Sequence, residues 1–246
     1  MTAMPGIPPD YFRRLYEAER RHWWPVGMRR IAASLLAGRL RGSLLDAGCG
    51  TGGFLAWAAG RGRFDRLCGS DLSPEAVELA RQAIPEADIR VAPLHALPFE
   101  DSAFDLALLA DVLQHVHEDE VEHGLRELRR VLRPGGMLLV RTNGGRRGRR
   151  ARADWRLYDP VSLTEELRRG GFRVERLTHA NALLSLLERE PRPPTESTCG
   201  IPVPVGAARN AFGSALLSAE ARWLRRPDRR LPFGHTLFAL ARPEAS

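Results

Sequence analysis

No lysine occurs in the 246 residues: all 37 positions counted as lysine or arginine are arginine. Total replacement of lysine reads as a codon-usage bias, which removes functional weight from part of the formal +7 charge. The arginines are scattered, and many stand beside acids at helical spacing, as in Glu127/Arg130 and Glu165/Arg168. Nucleic acid is therefore not the expected partner. Cysteine is scarce as well. Cys49, Cys68 and Cys199 are odd in number and show no CxxC spacing, which argues for neither a disulfide framework nor a zinc site. A reducing cytoplasm is the expected compartment. No apolar run approaches the roughly 18 residues that would span a bilayer, so no membrane partner is expected. The opening MTAMPGIPPDYFRR lacks the basic start and apolar run of a secretory signal.

What remains is ordinary globular composition, 43% hydrophobic and 27% charged, at a length that suits one α/β domain with attached segments. Residues 11–24 and 26–40 predict two helices with Pro25 between them. Short apolar runs at 43–47, 66–71, 89–93, 104–110 and 137–143 predict strands, and FDLALLA at 104–110 is apolar on both faces, as a buried parallel strand should be. Helical segments separate them. Ser73 and Pro74 mark one helix start, and Pro134-Gly135-Gly136 is expected to stop another helix before the fifth strand. A helix near 162–170, a strand at 171–178 and a last strand at 235–243 follow. This rhythm predicts a doubly wound parallel sheet. Between 178 and 235 lies a long insert with two helical stretches around a Pro-rich loop at 191–206.

The strongest signal is LLDAGCGTGGF at 44–54. A strand ends at Asp46, and Gly48, Gly50 and Gly52 let the backbone turn tightly and approach a ligand before the next helix. A Gly-rich turn alone is common. Here Asp71 ends the next strand 19 residues beyond Gly52, close to the spacing of a carboxylate that grips ribose hydroxyls. Spacing alone leaves a dinucleotide and S-adenosylmethionine (SAM) both open.

LLDAGCGTG resembles the E/D-x-G-x-G-x-G signature of class I SAM-dependent methyltransferases of the type 11 kind. GSDLSPEAVELAR, LPFEDSAFDLALLADVLQHV, ELRRVLRPGGMLLV and GGFRV resemble the family's later motifs in order and spacing, over roughly residues 40–180. The resemblance implies a Rossmann-like sheet of seven strands, the last antiparallel, with SAM as cofactor. It divides one domain, 1–246, into an N-terminal helical cap (1–40), a cofactor-binding core (41–180), a helical insert (181–234) and the last strand (235–243). It also implies that Asp46, Gly48, Gly50 and Gly52 face the methionine part, Asp71 the ribose, and Leu72 the adenine. Ala110 would offer its carbonyl to the SAM ammonium. Family members often carry an Asp four residues before the LPF leucine; this chain has Pro93, so adenine recognition leans on the Leu94 and His95 backbone or on another side chain.

On the substrate side, SAM carries a reactive methyl, so aligning the acceptor is the main task and a base is needed only for acceptors that must lose a proton. His115, His22 and Tyr158 are the candidates for that base, with the plain alternative for His115 a structural histidine at a helix start. HWW at 22–24 resembles a bacterial subgroup of tailoring methyltransferases that also carries a C-terminal LPFG. Where that subgroup has arginine this chain has Met28, and Arg29 is only a weak substitute. Tyr11, Trp23, Trp24 and His179 are candidate substrate contacts. The aromatic cluster is either a lid that keeps water from the reacting centre or a staple on the core. The run Arg146, Arg147, Arg149, Arg150, Arg152 either holds an anion or is a solvated loop.

The expected function is methyl transfer to a small molecule, a natural product or sugar-containing metabolite. The alternatives are a SAM-binding fold that does not methylate, such as a cyclase or partner scaffold, and, further off, an RNA methyltransferase. The insert is expected either to help form the substrate chamber or to form a homodimer interface.

Overall fold

Runs such as Phe104–Ala110 carry apolar residues on both faces, and in the computed structural model they are buried on both faces. The structure describes residues 10–61, 63–144, 156–187 and 204–244. Its sheet has seven strands: β1 (Arg41–Ala47), β2 (Arg63–Asp71), β3 (Asp88–Val91), β4 (Phe104–Ala110), β5 (Leu132–Asn143), β6 (Phe172–Ala180) and β7 (Thr236–Pro243). The order is β3-β2-β1-β4-β5-β7-β6, parallel except for β7, which runs antiparallel to both neighbours. The fold expected from the sequence is the fold found.

The helices are α1 (Tyr11–Arg21), α2 (Trp23–Leu35), α3 (Gly53–Ala59), α4 (Pro74–Ala83), α5 (Glu118–Val131), α6 (Pro160–Arg169), α7 (Ala182–Leu187) and α8 (Ala207–Leu224). One sheet face packs against α2, α3, α4 and α8 through residues such as Ile31, Leu55, Val77 and Leu217. The other packs against α5 and α6 through Leu125, Leu128, Leu163 and Leu167. Strand alternation sorts the two: Leu106 and Leu108 face the first core, Ala107 and Leu109 the second.

Two boundaries differ from expectation. Pro25 does not separate the N-terminal helices; the break falls at His22, and Pro25 lies in the first turn of α2, where a missing N–H costs no helical hydrogen bond. His22 caps α2, its Nδ1 accepting from the Trp24 N–H at 3.2 Å. Pro134-Gly135-Gly136 does not precede the fifth strand but bulges within it: Phe104 pairs with Leu132 and Leu106 with Met137, and the residues between are looped out.

The insert docks on the cap. Gly27 of α2 receives the Leu217 side chain of α8, and Gly213 of α8 receives the Trp23 indole, so each helix has a glycine where the other presses closest. Asn210 of α8 spans the α1–α2 junction. Its Oδ1 accepts from the Trp23 N–H at 2.8 Å and its Nδ2 donates to the Arg21 carbonyl at 3.3 Å.

Candidate functional site

The turn after β1 is tied to β2 rather than left to itself. The N–H groups of Gly48 and Cys49 both donate to the Ser70 carbonyl, at 2.7 and 2.9 Å. Asp71 then braces the turn from the end of β2: its Oδ2 accepts from the Gly50 N–H at 2.8 Å and its Oδ1 from the Ser73 N–H at 2.9 Å. Burial pushes the Asp71 carboxyl up, and these backbone donors hold it down in part. The three glycines have different work. Gly48 (φ +76°) is pressed by Val112 and Gly52 (φ +78°) by Ile84 and Ala80 of α4, so both serve close packing. Gly50 (φ +53°) faces outward, with the Leu15 side chain of α1 3.7 Å from where a Cβ would stand.

Asp46 is 3% exposed, and its Oδ1 has no hydrogen-bond partner among the described residues. Burial, the Glu19 carboxylate of α1 and Asp71 push its carboxyl up to about 7, against the pull of Arg141. Alternation puts Asp46 on the same sheet face as Leu44, the face that α2 and α3 cover. Arg141, beside Ala110 in the β4–β5 ladder, follows Leu139 onto that face. Its Nη2 donates to Asp111 at 2.6 Å and its guanidinium lies 5.3 Å from the Trp24 ring centroid. Asp111 has φ +59°, a left-handed conformation uncommon for a residue with a side chain, though aspartate adopts it more readily than most. Glu19 accepts a hydrogen bond from the Thr51 hydroxyl at 2.5 Å. Glu19, Asp111 and Arg141 were not singled out from the sequence, where nothing short-range connects them.

The predicted cofactor residues fall into two groups. Asp46, Gly48, Gly50, Asp71 and Ala110 gather at the carboxyl edge of β1, β2 and β4. Leu72, 53% exposed, follows directly, and Val91 at the end of β3 is 49% exposed. For Leu94 and His95, expected to act through their backbone, the side chains lie apart from this group: that of Leu94 packs on Gly124 of α5, and that of His95 is exposed, 3.8 Å from the Glu120 carboxylate.

The candidates for the substrate side scatter more widely. Trp24 reaches the site through Arg141. Trp23 is spent on α8, and Tyr11 packs edge-on against Phe12, 5.0 Å between centroids. His22 is the α2 cap. His115 is exposed on a 3₁₀ turn, Leu113–His115, directly after β4. His179 sits on β6, its Nδ1 3.3 Å from the Leu231 carbonyl, and burial lowers its pKa; two strands separate it from β4. Tyr158 is 1% exposed in the second core, where its hydroxyl donates to Glu166 at 2.7 Å. Burial and that carboxylate raise its pKa far above the ordinary range, which is opposite to what a base requires. The base role assigned to Tyr158 from the sequence therefore yields to a structural one. Tyr158→Phe is expected to cost about 1 kcal/mol, a melting-temperature drop of about 2–4 °C, with S-adenosylhomocysteine release unchanged. Lost release in a folded variant would return Tyr158 to the chemistry. The arginine run at 146–152 lies outside the described residues.

Residues 45–140 match the family model described as a methyltransferase domain. The chain is 33% identical over 165 residues to a "Probable S-adenosylmethionine-dependent methyltransferase" of Mycolicibacterium smegmatis, covering 64% of this chain and 62% of that protein. It is 32% identical over 119 residues to a ubiquinone/menaquinone biosynthesis C-methyltransferase of Geotalea daltonii, covering 46% and 50%. Among solved structures it is similar to geranyl diphosphate C-methyltransferase from Streptomyces coelicolor A3(2) in complex with S-adenosyl-L-homocysteine, with TM-score 0.60, 15% identity, and 89% and 77% of the two chains covered. Residues 45–140 thus carry a methyltransferase domain, on a fold shared with SAM-dependent methyltransferases. It spans between 29% and 62% of the length of eight curated relatives.

Proposed function

We propose that the protein transfers the methyl group of SAM to a small-molecule acceptor, in the class of natural products or sugar-containing metabolites. One observation carries the reading: the turn at 48–52 is held by Asp71, and beside it Asp46 keeps a buried oxygen without a hydrogen-bond partner among the described residues. A buried carboxylate left so is costly unless a cationic group completes it, and the α-ammonium of SAM is such a group. Asp71 has lone pairs left for ribose hydroxyls, and Leu72 and Val91 suit the adenine ring. Bound SAM supplies an activated methyl. The chain's own task is then to orient the acceptor and keep water out, with His115 the candidate base nearest β4 in sequence. Small-molecule acceptors agree with the quinone-pathway enzyme and the geranyl diphosphate enzyme named above. No helix among the described residues is long and apolar enough to cross a membrane. A cytoplasmic location belongs to the same reading, supported by the free, buried thiols of Cys49 and Cys68.

The direct test is calorimetric titration with SAM, followed by S-adenosylhomocysteine release with panels of candidate acceptors. SAM bound without release from any acceptor would favour the non-methylating alternative, a cyclase or scaffold.

The Asp46 carboxyl makes SAM binding depend on pH. Asp46 in the folded chain is raised from 3.8 to about 7. The stability this group contributes is present at low pH and is lost as pH rises from about 4 to 7. An ammonium beside it favours the ionised form, so SAM binding below pH 7 must expel a proton. SAM affinity is expected to rise by about tenfold per pH unit from 5.5 towards 7 and then level off. A flat profile at constant ionic strength would remove Asp46 from contact with the charged end of SAM.

A further inference from the structure

Four ionisable side chains from four elements converge beside the glycine turn: Glu19 from α1, Arg29 from α2, Asp46 from β1 and Arg141 from β5. Glu19 and Arg141 each act electrostatically on both Arg29 and Asp46, and three of the four hold a buried polar atom with no hydrogen-bond partner among the described residues: Asp46 Oδ1, Arg29 Nε and Arg141 Nε. We propose that Glu19 is a cofactor-binding residue carried by the cap helix, facing a cationic group together with Asp46 while Arg29 and Arg141 face an anionic one. The four make a receptor for an α-amino-acid zwitterion that is complete only when α1 lies on the glycine turn. The inference rests on the SAM reading above and takes the zwitterion to be the methionyl end of SAM.

Three features support it. The first is charge. Two carboxylates near one another repel, Asp46 buried and Glu19 half-buried; desolvation and that repulsion raise Asp46, while desolvation raises Glu19, and an ammonium between them relieves both penalties at once. Two arginines stand opposite the two carboxylates, Arg141 already paired with Asp111, so the set suits a ligand whose opposite charges are separated. The second is space. Glu19 is only partly exposed, and its Cδ lies 2.6 Å from where a Cβ on Gly53 would stand. Gly53 has no left-handed φ to explain it, so its missing side chain makes room for the Glu19 carboxylate. The third is anchorage. Thr51 holds Glu19 by its hydroxyl, and Asp111 fixes Arg141, so both signs of charge are presented from braced positions.

The experiment compares two ligands by calorimetry: SAM, and 5′-methylthioadenosine, which keeps the nucleoside and sulfur but lacks the amino-acid end. Glu19→Gln, close to isosteric, is expected to weaken SAM about tenfold, the loss of one charge-assisted contact, and to leave 5′-methylthioadenosine unchanged. Gly53→Ala, which displaces Glu19 without altering it, is expected to act in the same direction. Unchanged or tighter SAM binding by Glu19→Gln would overturn the inference, the tighter case making α1 a competitor of the cofactor. Equal weakening of both ligands would also overturn it, since α1 would then act only as a general cover. Failure of the unaltered protein to bind either ligand would instead bring down the cofactor reading itself. Melting temperatures of both variants confirm that the comparison is between folded proteins.

Discussion

Gly50→Val is expected to bind no detectable SAM while remaining folded. Gly50 holds φ +53°, where a β-branched residue is strained by about 1–2 kcal/mol. A domain stable by about 5–15 kcal/mol survives that cost. Binding does not survive it. The new side chain would point away from the packed core, towards Leu15 across the space where the turn meets α1. It would also disturb the N–H that Asp71 accepts. Calorimetry with SAM and far-UV circular dichroism together check the result. A folded variant that binds normally would show that this turn does not cradle the cofactor. Gly50→Ala carries the same backbone penalty with less bulk, so it should bind weakly and keeps the test informative if valine proves too disruptive.

Asp71→Ala is the second large effect, a loss of about 1–3 kcal/mol of SAM affinity, or roughly 5- to 150-fold. Two losses combine. The ribose hydroxyls lose a charged acceptor, and the glycine turn loses its brace, because Asp71 is what holds the Gly50 and Ser73 N–H groups. Asp71→Asn separates them, since an amide oxygen can still accept from one of those groups. Its affinity should fall between the parent and alanine variants. Unchanged affinity in Asp71→Ala would end the clamp assignment.

The part of the site that could be read from sequence is the part built from neighbours along the chain. Asp46, Gly48, Gly50 and Asp71 stand at fixed offsets around one strand–turn–helix unit, and a local unit leaves a local signature. Glu19, Asp111 and Arg141 leave none, because they meet only when α1 and β5 fold over the same edge. Asp111 lies one residue past the predicted Ala110, and only its left-handed backbone sets it apart. The sheet was legible because burial on both faces forces continuous apolar runs. Helix ends were less so. Pro25 reads as a break in sequence, yet the first turn of a helix tolerates proline, and the polar group that starts α2 is a histidine rather than one of the usual capping residues. Tyr158 reads as a possible base because sequence shows its polar tip but not the Glu166 carboxylate that occupies it.

The junction at His22 sets how the cap can move. His22 is the single residue between α1 and α2, with extended backbone (ψ 135°), and Asn210 fastens the residues on both sides of it to α8. Any excursion of α1 is thus a swing of a stiff rod about one fixed pivot. Glu19 stands three residues from that pivot and Leu15 seven, lever arms of roughly 5 and 10 Å at 1.5 Å per residue. A rotation of about 20° therefore shifts Leu15 by roughly 4 Å and Glu19 by only roughly 2 Å. The far end of the rod uncovers Gly50 first, and the carboxylate near the pivot lets go last.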